Sequence, residues 1–476
     1  MAALAHSRFN IVVPLRHGRN LAYNSMSHAT AVWDRAESDV FDRVGRGEDI
    51  DDAEATVTDL LYGGFIVRHG FDELALLRQR YDATRKDPSR MVLTIAPTLM
   101  CNFGCDYCFQ GACKPAGTMS ADVQDAIVDL VTRATPSLKR LHVAWYGGEP
   151  LLAPAVIDSL SERLIALCDA KSVAYDATIV TNGYKLTLGV ARALAARRVT
   201  GAQITLDGAR NEHDRRRFRL GGGGSFDRIL ANLKAAIDDV PLTISIRINI
   251  DSRNAASVYA LLDELARQGF ARRKNFGVYF APVEAITEGC HNVADDCMSK
   301  SAYGRLETEL TRYAFDAGLS SLPYPPRFRG VCGALRPKGF VVLPNGDVHK
   351  CWDTVASPDQ KVGTIFDVDA LAADKRALRW VQWSPFDNAT CTSCKILPNC
   401  AGSCAHKFLN PDQTLGEAGA LPCPSWKYNI NERLLLTAER SGAITADDYQ
   451  SEQVRTNSAA ICSVSPLLVG QAAFDR

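Results

Sequence analysis

Between residues 89 and 325, apolar and polar positions repeat in a regular order. The short apolar runs MVLTIAP, LHVAWYGG, DATIVTNG, GAQITLDG, LTISIRINID and NFGVYFAPV alternate with stretches such as SADVQDAIVDLVTRA, APAVIDSLSERLIALC and TLGVARALAARRV. Runs closed by glycine or polar residues predict strands, and the helical spacing between them predicts amphipathic helices. Six βα units in succession predict an α/β architecture, a parallel sheet wound into a partial (β/α)6 TIM-like barrel. Chemistry in such a sheet gathers at the C-terminal strand ends. Here those ends read Gly-Gly-Glu, Thr-Asn-Gly, Leu-Asp-Gly and Asn-Ile-Asp.

The pattern differs on either side. Over residues 1–88, FNIVVPL, NLAYN and GFIVRHG read as short strands, while SDVFDRVGRG, DDAEATVTDLLYGGF and DELALLRQRYDATR carry helical spacing. These predict a separate winged-helix-like module. Over 326–428 the alternation stops. GFVVLPNGDVHKCW predicts a β-hairpin with Asn345-Gly346 supplying the positive φ of its turn, and cysteines, prolines and loops dominate the rest. A helix, SWKYNINERLLLTAER, leads into the last segment, 429–476, which ends in a poorly patterned tail.

At 476 residues two or three domains are expected. Lys+Arg and Asp+Glu balance at 54 each, so no global field recruits nucleic acid or an anionic membrane. The local basic runs RHGR and HDRRRFR read as solvated faces. No segment approaches the ~18 apolar residues of a membrane span, and the N-terminus lacks a cleavage pattern. A cytoplasmic location, with reduced thiols, is therefore expected. Fifteen cysteines in such a chain argue for metal binding rather than disulfides.

Three of them, Cys101, Cys105 and Cys108 in LMCNFGCDYCFQ, follow the first strand of the alternating region. Iron–sulfur cubanes take four thiolates, so three leave one iron open, the mark of a catalytic rather than a structural metal site. A zinc or redox-thiol loop with a distant fourth ligand is the competing reading. CNFGCDYCF resembles the signature C-x3-C-x-aromatic-C of the radical S-adenosylmethionine (radical SAM) family. The resemblance implies that the open iron chelates the methionine part of SAM, whose reductive cleavage gives a 5′-deoxyadenosyl radical. Gly147, Gly148 and Glu149 in WYGGEP match the family's GGE motif, whose glycines let the backbone approach the SAM ammonium. Tyr107 matches the position that contacts adenine. Thr205 and Asp207 in ITLDG stand where relatives carry Ser-x-Asp-Gly. Arg217 ends an HD-x-x-R pattern and is a candidate carboxylate clamp. The run GGGG at 221–224 lacks the strand–turn–helix context of a phosphate loop and reads as a flexible loop.

A second series comprises Cys332, Cys351, Cys391, Cys394, Cys400, Cys404 and Cys423, with Gly346 four residues before Cys351. Its spacing alone suits zinc sites as well as iron–sulfur clusters. The order resembles the seven-cysteine SPASM extension of radical SAM enzymes, which implies two auxiliary 4Fe–4S clusters. By that family's interleaved ligation one cluster takes Cys332, Cys351 and Cys404, and the other takes Cys391, Cys394, Cys400 and Cys423. The remaining Cys113, Cys168, Cys290, Cys297 and Cys462 read as buried or incidental thiols.

The expected protein is thus a radical SAM/SPASM maturase that installs a crosslink or other oxidative modification in a ribosomally synthesised precursor peptide. The first module would hold the leader by strand addition, and a flavodoxin or ferredoxin would donate electrons. The nearest alternative is an anaerobic sulfatase-maturating enzyme, which makes formylglycine. In that group an aspartate follows the G-x4-C cysteine directly, whereas here Asp353 is displaced by one and reads as an exposed hairpin residue. A non-enzymatic zinc-binding interaction protein is the alternative of another class.

Overall fold

The computed structural model describes residues 3–51, 54–111, 114–320, 330–415 and 422–462. The expected boundary at 325–326, Cys113 and the tail beyond residue 462 lie outside the described residues. Five short strands open the chain: β1 (Leu4–His6), β2 (Asn10–Pro14), β3 (Asn20–Asn24), β4 (Thr30–Trp33) and β5 (Ile66–Arg68). β2, β3 and β4 form an antiparallel meander, and β1 pairs with β5. Side chains alternate along a strand, so Ala22 on β3 faces the helices Arg35–Gly45 and Ala55–Tyr62 while Leu21 and Tyr23 face the other way. That second face is covered by Ile430 and Leu434 of the helix Trp426–Arg440. The first module therefore shares a core with the C-terminal helix. Arg85, buried at the end of helix Glu73–Arg85, ties the module to the cysteine-rich region by donating to Val381 O and Trp383 O, both at 2.8 Å.

The central region contains β6 (Arg90–Ile95), β7 (Arg140–Trp145), β8 (Ala174–Thr181), β9 (Val199–Thr205), β10 (Thr243–Ile250) and β11 (Phe276–Pro282). Each pairs in parallel with its sequence neighbour, and amphipathic helices connect them. Leu93, Leu141, Val143, Ile204, Ile244 and Ile246, all without solvent exposure, form the core between sheet and helices. This is the expected α/β partial barrel. It does not close: β6 pairs on its free side with β12 (Gly339–Val342), from which β13 (Asp347–His349) and β14 (Gly363–Thr364) extend the sheet antiparallel. The predicted hairpin thus covers the open edge of the barrel and carries the cysteine-rich region to it. Its turn takes positive φ at Gly346 (+86°) alone. Among the described residues no helix is long and apolar enough to cross a membrane.

Candidate active site

The loop leaving β6 lies across the C-terminal strand ends. Segment 216–220 holds it from outside, with Gly104 N donating to Phe218 O (2.9 Å), Asp106 N to Arg216 O (3.3 Å) and Leu220 N to Asn102 O (3.0 Å). Phe103 is buried in the main core, and Asn182 at the end of β8 donates to the Asn102 carboxamide at 2.8 Å. These anchors leave Cys101, Cys105 and Cys108 lining one cavity of about 330 Å³. Burial pushes the Cys105 thiol up to about 12, opposed by the nearby Arg217, and also raises Cys101. Thiols so placed are deprotonated most readily by a bound metal centre. Among the described residues no three His, Cys, Asp or Glu side chains converge as they would round a single ion.

The GGE motif follows β7. Gly147 sits at φ +139°, and a Cβ there would lie 2.3 Å from Thr98 O; a Cβ on Gly148 would lie 2.2 Å from Met100 O. Both glycines line the cavity on their other side. Their missing side chains therefore let the strand end press against the cysteine loop's own backbone. Glu149 is fully buried behind this wall and accepts from Leu151 N (3.0 Å), Thr181 Oγ1 (2.7 Å) and Asn182 N (2.7 Å). It spans the ends of β7 and β8 rather than lining the cavity. Glu149→Gln puts an amide donor where only donors are met. It is expected to lower unfolding stability by about 2 kcal/mol or more, and an unchanged denaturant midpoint would contradict this.

Tyr107, Asp207 and Arg217 form one network. The Tyr107 hydroxyl donates to Asp207 Oδ2 and accepts from Arg217 Nη1 (2.6 Å) and Asn249 Nδ2 (3.2 Å). Asp207, at the end of β9, is fully buried and also accepts from Asn249 N at 2.8 Å. Thr205, Tyr107 and Arg217 reach the cavity, whereas Asp207 braces Tyr107 and Arg217 from behind. The HDRRRFR run is therefore not a solvated face. His213 is fully buried, Arg216 forms a buried ion pair with Asp251 (2.7 Å), and Asp214 caps helix Phe226–Ile237 by accepting from Ser225 N and Phe226 N. Ion pairing and capping are what allow these charges inside. The run's burial also places Gly224 against Asp214, where a Cβ would meet Oδ2 at 2.3 Å, so the last glycine of the run makes room for the cap.

Several cavity residues escaped the sequence reading. Arg247 and Asn249 on β10, and Gln203 two residues before Thr205 on β9, point inward at alternate positions. The period of two at polar strand ends was the available signal. Asp353 also lines the cavity, which corrects the expectation of an exposed hairpin residue. The extra Trp352 packs on Tyr146 (ring centroids 4.2 Å apart) and Phe109 (5.9 Å), turning the following carboxylate inward, where burial raises its pKa.

The second cysteine series falls into two neighbourhoods. Cys351 packs with Ala334, Leu335 and Ala405, chain neighbours of Cys332 and Cys404. Cys391 packs with Leu397 and Ala401 beside Cys400, and Cys394 with Ile396 and Trp426. Lys427 Nζ stands 3.9 Å from the Cys423 thiol. Of the thiols outside the series, Cys168 is buried in the main core, but Cys290 lines the cavity and Cys462 lies against Cys394.

Residues 95–265 match the model of the radical SAM superfamily. The chain carries a radical SAM domain. The matched span contains the cysteine loop, the GGE wall and Arg217, while Asp353 and the later cysteines lie beyond it. Among solved structures, anSMEcpe with bound AdoMet is 19% identical at a TM-score of 0.56, covering 73% of this chain and 97% of its own. Native anSMEcpe with bound AdoMet and the Kp18Cys peptide is 18% identical at 0.55, covering 74% and 98%. Streptococcus suis SuiB bound to precursor peptide SuiA is 16% identical at 0.50, covering 86% and 97%. At these identities the likeness is one of fold. A radical SAM domain makes the chain an enzyme and implies SAM and a 4Fe–4S cluster; the reading as a non-enzymatic zinc protein falls away. The cavity suits both groups: it is lined by three thiols, by Gly147 and Gly148, and by Arg217, whose buried Nε has no hydrogen-bond partner among the described residues.

Proposed function

We propose that this radical SAM enzyme is a maturase that modifies a ribosomally made peptide. The observation that carries the reading is the shared cavity. The Cys101–Cys105–Cys108 loop, Arg217 and the carboxylate of Asp353 all line it, although Asp353 belongs to the cysteine-rich region beyond the matched domain. Cys101, Cys105 and Cys108 would hold the cluster whose open iron takes SAM, while Cys332, Cys351 and Cys404, and Cys391, Cys394, Cys400 and Cys423, would hold two auxiliary clusters. The cluster and SAM held there would supply the radical chemistry for hydrogen abstraction.

The chain's own residues orient and shield. Arg217, fixed by Tyr107, faces the cavity as a donor for a carboxylate. The Trp352–Tyr146–Phe109 packing excludes water beside it. Asp353, with its pKa raised by burial, is placed to take the proton that substrate oxidation releases. Peptide-bound neighbours support the substrate class: anSMEcpe is described with the Kp18Cys peptide and SuiB with its precursor peptide. The β4 edge of the first module is a candidate for leader addition. A flavodoxin or ferredoxin is the proposed electron donor, and the cytoplasm, where thiols stay reduced, the proposed setting.

The position of Asp353 in the cavity also favours a second reading, sulfatase maturation to formylglycine, despite its one-residue displacement. Mass spectrometry after co-expression separates the two. A mass change in a precursor peptide encoded beside the enzyme supports the first, and conversion of a sulfatase-derived Cys or Ser peptide instead supports the second. Asp353→Asn is expected to lower peptide turnover about 10²–10⁴-fold while 5′-deoxyadenosine still forms. Unchanged turnover would remove Asp353 from proton transfer.

A further inference from the structure

Cys462 belongs to neither expected cysteine series, yet it stands among one of them. It is 3% exposed and forms an antiparallel bridge with Cys394, beside which Lys395 N donates to Ile461 O at 2.9 Å. Residues directly opposite across such a pair project to the same side, with Cβ atoms about 5 Å apart. The Cys462 Sγ donates to Thr390 O at 3.1 Å and lies 3.1 Å from Ser393 Oγ. Both partners sit on the turn that carries Cys391 and Cys394. Cys462 is thus a fifth thiol beside the four expected to hold one cluster, one more than a cubane binds. Among the described residues no isolated bridge sets a cysteine opposite Cys391, Cys400 or Cys423, so the surplus falls on one ligand position.

We propose that Cys394 and Cys462 are interchangeable ligands for one iron of the auxiliary cluster that Cys391, Cys400 and Cys423 also hold. This rests on the reading of those cysteines as cluster ligands. In the exchange one iron–thiolate bond forms as another breaks at the same iron. The incoming thiol's proton passes to the departing thiolate, and no electron moves. The cluster thus keeps four protein ligands when either cysteine leaves it.

The test uses the full chain, reconstituted anaerobically with iron and sulfide, as wild type, C394A, C462A, C394A/C462A and C400A. Iron per chain and the electron paramagnetic resonance signal of the reduced protein are read. C394A and C462A are each expected to keep the wild-type iron content, with a shifted signal in the variant that loses the resident ligand. C394A/C462A is expected to lose about four irons, as is C400A. Loss of about four irons in C394A alone overturns the exchange and leaves the cluster reading intact. Wild-type iron in both C400A and the double variant overturns both, because no cluster then depends on this site. If C394A loses all iron through misfolding, Cys394→Ser is compared with and without Cys462→Ala, and equal iron in the two chains overturns the exchange.

Discussion

Simultaneous replacement of Cys101, Cys105 and Cys108 by alanine is expected to abolish 5′-deoxyadenosine formation and peptide modification and to remove about four irons per chain. The size of the effect follows from the geometry. The three thiols line one cavity, and Cys290, the other cysteine among its described lining residues, supplies a single thiol rather than a set of three. Burial pushes the Cys105 thiol up to about 12, so its thiolate depends on a bound metal centre. The fold should survive, because the loop is also anchored by buried Phe103, by the Asn102–Asn182 bond and by segment 216–220. Iron analysis and product chromatography on the anaerobically purified variant provide the check. SAM cleavage at the wild-type rate, or an unchanged iron content, would remove this loop from the chemistry.

Gly148→Ala is the second large effect, although the change is one methyl group. Its Cβ would lie 2.2 Å from Met100 O and 2.3 Å from Leu99 O, and both are backbone atoms that no side-chain rotation can clear. Relief requires moving the loop immediately before Cys101. The expected consequence is a loss of about 3 kcal/mol of stability, at the upper end of overpacking effects, together with loss of SAM binding. Gly189→Ala gives the internal comparison, since a Cβ at Gly189 meets nothing within 4 Å and the residue lies in helix Leu188–Ala196. That change is expected to be neutral or to stabilise by up to about 1 kcal/mol. Thermal unfolding and SAM titration of the two variants side by side test the argument, and equal behaviour would refute it.

The six βα units, the hairpin and the cysteine loop were legible because each is written locally. Strand and helix periods are properties of neighbouring residues, and ligand spacing within a loop of eight residues survives any tertiary arrangement. The roles of charged residues were less legible. Arg216 carries the same charge as any surface arginine, and only Asp251, thirty-five positions later, makes its burial possible. Asp353 reads as a hairpin carboxylate until Trp352 finds Tyr146 and Phe109. Glu149 and Asp207 were recognised as motif residues, but their positions behind the cavity wall depend on partners at the ends of other strands.

The sequence by itself determined the chemistry-bearing loop, the partial barrel beneath it and the order of the later cysteines, since these follow from residue type, period and spacing. Only the tertiary structure decided which polar groups share the cavity and which brace it. It also showed that the hairpin covers the open edge of the barrel and that the first module shares its core with the last helix. It brought Cys462 to Cys394 as well. These outcomes depend on contacts between distant segments, whose pairing is set by burial and hydrogen-bond satisfaction across the whole fold rather than by any local pattern.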